Sequence, residues 1–119
     1  MARRRITHED GLAAVDAWRQ GRDDRRTLAT AVRYLLEELS ERVPGGAVEV
    51  RVPPFGVTQC IAGADHSRGT PPNVVEFSPA TWLELATGRT SWDNAREAGL
   101  ISASGTRADL SAQLPLQPS

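Results

Sequence analysis

The sequence predicts a single α+β domain, with a mostly antiparallel sheet and helices packed on one of its faces. Three observations predict it. Apolar residues recur at helical spacing over 28–43, they alternate with charged residues over 48–52, and helix signals return after 78 around a further strand. A chain of 119 residues fits one domain spanning 1–119. Residues 1–6 are expected to fray and 115–119 to form a short tail.

Thr7 and Asp10 have the form of a capping box, so a first helix is expected over 8–20 with Leu12, Val15 and Trp18 on one face. Leu28, Val32, Leu35, Leu36, Leu39 and Val43 make the stripe of a second helix, which Pro44-Gly45-Gly46 ends. Val48, Val50 and Val52 alternate with Glu49 and Arg51, the period-two pattern of a half-buried strand. Residues 53–56 read as a turn, because consecutive prolines cannot continue a ladder. A second strand over 57–62 pairs antiparallel with the first, and 63–72 is a polar loop. A third strand over 73–77 places Val75 and Phe77 on one face, with Val74 and Glu76 on the other. Ser78-Pro79 is a cap followed by proline at the first helical position, and Trp82, Leu85 and Ala86 form the buried side of that helix. Ser91 starts another short helix that ends at Gly99. A fourth strand follows over 100–104, then an amphipathic turn or two over 108–114 stopped by Pro115.

The residues from Phe77 to Gly105, FSPATWLELATGRTSWDNAREAGLISASG, resemble the C-terminal half of the sterol carrier protein type 2 domain. The shared pattern is a capped helix with a bulky residue and Leu-x-x-Gly (Trp82, Leu85, Gly88), then an inward alanine (Ala95). It closes on Gly99, Ile101, Ala103 and Gly105. With GGAVEVRVPPFGVTQC and RGTPPNVVEF, the whole chain is similar to the short stand-alone bacterial branch of that family, common in high-GC Gram-positive bacteria. The resemblance implies a curved sheet, helices on one face and an apolar tunnel for a lipid, an acyl chain or a sterol. It also implies five strands, where four are clear here, so the sheet is expected to hold four to five. The polar loop and the short tail both remove walls of that tunnel.

Composition bounds the chemistry. Fourteen basic residues, all arginine, against fifteen acidic ones leave a net charge of -1, which excludes nucleic acid as the main partner. No stretch approaches the length of a membrane span, and no apolar segment follows the basic N-terminus as a signal peptide would require. The lone cysteine, Cys60, fits a reducing cytoplasm. As a nucleophile it would need Asp65 and His66 as partners; as a structural residue it is a small hydrophobe. The only histidines, His8 and His66, lack zinc-like spacing, so neither a metal nor a cofactor is expected.

Two groups of candidate site residues remain. Phe77, Trp82, Leu85, Ile101, Leu110 and Leu114 would line an apolar cavity, or else fill the core of a small domain that needs every aromatic. Arg51, Gln59, His66 and Arg68 would form a polar rim for a carboxylate or phosphate headgroup, with Gln59 on the same face as Arg51 or the opposite one. Together these suggest a non-catalytic carrier of an apolar or acyl-bearing small molecule. The alternatives are an interaction or homodimerisation module without a cavity, or an accessory domain acting in trans on a thiol-dependent enzyme.

Overall fold

In a computed structural model describing residues 5–63 and 73–118, the elements follow the order α1 (His8–Arg19), α2 (Arg25–Arg42), β1 (Val48–Val52), β2 (Gly56–Cys60), β3 (Val74–Glu76), α3 (Pro79–Ala86), α4 (Trp92–Glu97) and β4 (Ser102–Ser104). The caps expected at Thr7, Ser78 and Ser91 form, and Asp24 caps α2 as well. The side chains of Thr7, Asp24, Ser78 and Ser91 each accept the backbone N–H three residues on. Gly88 and Gly99 take φ of +79° and +75°, the left-handed turns that end the last two helices.

The four strands form one sheet in the order β2-β1-β3-β4. Both outer pairs are antiparallel and the central β1–β3 pair is parallel, with Val50 opposite Val75. Val48, Val50, Val52 and Val75 are fully buried beneath α2, whose Val32, Leu35 and Leu39 are equally buried. The opposite face carries Glu49, Arg51, Val57, Gln59 and Glu76, with Val57 60% exposed. The helices therefore cover one face of an α+β sheet. A radius of gyration of 13.6 Å matches the roughly 13.5 Å expected for one folded unit of this length.

Three expectations are corrected. The amphipathic turns over 108–114 are not helical. Asp109 accepts the Ser111 N–H at 2.7 Å, a local bond that competes with a helix, and Pro115 restricts the residue before it. The fourth strand begins at Ser102 rather than at residue 100, because the Leu100 N–H caps α4 on the Ala95 carbonyl at 3.0 Å. The second strand stops at Cys60: Ile61 turns away with φ +70°, and its N–H donates to Val43 at 2.8 Å.

The chain ends are tied more closely than their composition suggests. Glu37 accepts the backbone N–H groups of Arg5 and Ile6, at 3.3 and 3.2 Å. Residues 1–4 lie outside the described residues, as does the polar loop over 64–72.

Candidate functional site

The apolar candidates converge between the sheet, α3 and the C-terminal segment. Phe77 leaves β3 inward, its N–H held by the Arg51 carbonyl at 3.0 Å. Its ring stacks on Trp82 of α3 with centroids 5.7 Å apart, and meets Trp92 of α4 edge-on at 6.0 Å. Trp82 is fully buried, and its Nε1 donates to the Val32 carbonyl of α2 at 3.3 Å. Leu85 and Leu110 are buried beside it in the same cluster, while Ile101 and Leu114 are half-buried against that cluster. Four of the six residues are thus core and two sit at its margin.

The polar candidates divide. Pairing of Gln59 with Glu49 places Gln59 on the same face of the sheet as Arg51. That face is the uncovered one. Arg51 lines an open groove of about 430 Å³ with Glu49, Pro53, Pro54, Gly56 and Val57, and its Nε is paired with the Glu49 carboxylate. The cation there is already met by an anion. His66 and Arg68 lie outside the described residues, so the rim they would complete is not described.

Two further open grooves flank α2. One of about 400 Å³ runs along β2 past Arg33, Leu36, Glu37 and Ser40; another of about 440 Å³ lies between α1 and α2 beside Arg26, Thr27 and Thr30. Neither is lined by Phe77, Trp82, Leu85, Ile101, Leu110 or Leu114.

Cys60 is fully buried on β2, and burial pushes its thiol up to about 11. That thiol holds its proton near neutrality, the reverse of what a nucleophile needs. Asp65 and His66 are outside the described residues. Among the described residues, no group of three or more His, Cys, Asp or Glu side chains could hold a metal ion. Among them too, no helix is long and apolar enough to cross a membrane.

Residues that the sequence reading passed over organise the C-terminal side. Leu116 is 4% exposed, and the N–H groups of Leu116 and Gln117 both donate to the Ala86 carbonyl, at 2.8 and 2.9 Å. Ala86 ends α3, so its carbonyl has no partner within the helix. Arg42 donates to the Leu116 carbonyl at 2.6 Å, and Arg19 donates to that of Gln117. The signal for this was faint: one more leucine beyond Pro115, and an arginine in the last turn of each of the first two helices.

No curated protein matches the chain. A family model described as bacterial SCP ortholog matches residues 24–116, from the cap of α2 to the docked Leu116, and so takes in the sheet, α3, α4 and every apolar candidate. The chain therefore belongs to the bacterial SCP ortholog family, a family of sterol carrier protein type.

Proposed function

We propose that this domain carries an apolar or acyl-bearing small molecule, bound without covalent chemistry between the sheet, α3 and the C-terminal segment. The family supports a carrier-type domain. One observation carries the reading further: the C-terminal segment that docks on the end of α3, and shares the core cluster of Phe77, Trp82 and Leu85, has no helix of its own. A segment of turns lacks a helix's internal hydrogen bonds and opens more readily than a packed helix. An aliphatic tail would enter there against Trp82 and Leu85, with Ile101, Leu110 and Leu114 at its sides. Burial at roughly 25 cal/mol per Å² of apolar surface would supply the affinity. Arg51 and Gln59 lie on the other face of the sheet, so the headgroup would be met elsewhere.

The domain is proposed to act without catalysis and in the cytoplasm. The buried, protonated Cys60 supports the first, and the lone cysteine fits the second. The test is native mass spectrometry of protein purified gently from a bacterial host. A co-purifying adduct of several hundred daltons, lost on denaturation, is the expected result. A clean apo mass that stays unchanged on adding long-chain fatty acid would remove the carrier reading and favour an interaction module.

A further inference from the structure

We infer that residues 115–117 form a strap that occupies the carrier site, and that a long-chain carboxylate displaces it by taking over the guanidinium of Arg19. The inference rests on the carrier reading above and adds to it the headgroup partner and the gate.

The strap has few attachments. Residues 111, 112, 115 and 118 are exposed, Leu114 is half-buried against the core, and among the described residues Leu116 is the one buried side chain beyond Leu110. Its backbone is held at two points: two N–H groups on the Ala86 carbonyl, and two carbonyls on Arg42 and Arg19. A segment with one apolar anchor opens locally without the rest of the fold unfolding. Upstream, by contrast, the Arg107 N–H is fixed on the buried Asn73 at 2.8 Å, and Leu110 is fully buried. The hinge therefore lies between residues 111 and 114.

Arg19 supplies the chemistry. Its Nη2 donates to the Gln117 carbonyl, while its Nε is buried and meets no acceptor among the described residues. Its Nη1 reaches Asp16 only at 3.5 Å. Nε and Nη2 share the edge of the guanidinium that a carboxylate takes with two parallel hydrogen bonds. A peptide carbonyl offers one neutral oxygen to that edge; a carboxylate offers two, carrying charge. Arg42 cannot serve equally, because its Nε and Nη2 are already on Glu38, at 3.0 and 2.8 Å. Leu116 would leave its slot as the aliphatic chain enters, one apolar group replacing another.

The first test uses the unaltered chain. Hydrogen exchange at the Leu116 and Gln117 amides should speed up when a long-chain fatty acid such as cis-parinaric acid is added, while amides of α2 stay protected. Binding of the probe without faster exchange at those two amides would overturn the strap and leave the carrier standing. No binding of the probe would sink the carrier reading, and the strap with it. The second test compares full-length variants. Leu116→Asp keeps the strap out of its slot, and the apparent Kd should fall by roughly the reciprocal of the fraction of time the strap is open, at least about tenfold. Leu116→Met should bind as the parent does. Arg19→Gln should abolish the preference for the acid over the alcohol of the same chain length. An unchanged preference would overturn the role of Arg19.

Discussion

The side-chain amide of Asn73 donates to the Ala47 carbonyl at 2.8 Å, joining the entry of β3 to the entry of β1 from within the protein. The Asn73 carbonyl groups complete the junction: the backbone oxygen accepts from Glu49 at 2.9 Å, and Oδ1 accepts from Arg107 at 2.8 Å. One residue thus sets the parallel pairing at the centre of the sheet and anchors the chain after β4. It is only 5% exposed, so water cannot replace these partners cheaply.

Asn73→Ala should therefore destabilise the fold by about 2–3 kcal/mol, since it strands two groups at once. The measurement is urea unfolding, where the midpoint should fall with the slope unchanged. A loss below about 0.5 kcal/mol would show that the junction does not hold the sheet.

Gly11 is the fourth residue of α1, where alanine would ordinarily raise helix stability by about 1 kcal/mol. Here a Cβ would lie only 2.1 Å from Cδ1 of Tyr34, whose ring is buried at 2% exposure. Overpacking of about 1–3 kcal/mol should win, and Gly11→Ala should lower the thermal midpoint rather than raise it.

Trp82→Ala should cost about 3–5 kcal/mol through the cavity it opens. Trp82→Phe should cost less while losing the bond to Val32, which makes it the better probe of function. In the carrier reading its affinity for an acyl probe shifts, measured by fluorescence titration. An unchanged Kd would take Trp82 out of the site.

Cys60 gives a pH signature. Its thiol titrates at about 11 in the fold, against 9.0 as the ordinary value. Between those limits the folded state holds a proton that the unfolded state has released, so stability falls as pH rises. The contribution is fully present below pH 9 and lost through about 11. Cys60→Ala should flatten that decline in unfolding experiments across the alkaline range. Alkylation of the native thiol at neutral pH should be far slower than in urea.

Much of this fold was legible because its signals are local. The caps at Thr7, Ser78 and Ser91 need only a side-chain oxygen and the next turn of backbone. The alternation of Val48, Val50 and Val52 marks a strand because successive side chains point to opposite faces. The apolar candidates were legible as buried, since Trp82, Leu85 and Phe77 each follow such a pattern.

What escaped depended on residues far apart in sequence. Gln59 had no assignable face until its partner was known, because one residue of register moves a strand's side chains to the other side. Asn73 reads as a loop residue, and only the approach of Ala47 and Arg107 makes it a junction.

By itself the sequence determined the helices, the hairpin and the family, all carried by spacing within a few residues. Only the tertiary structure decided that Gln59 shares the uncovered face with Arg51 and that the last residues dock over α3 instead of forming a helix. The physical reason in both cases is that the partners meet only once the chain has folded. An orphan carbonyl at the end of one helix and an arginine at the end of another exert no pull on a segment until folding has brought them to it.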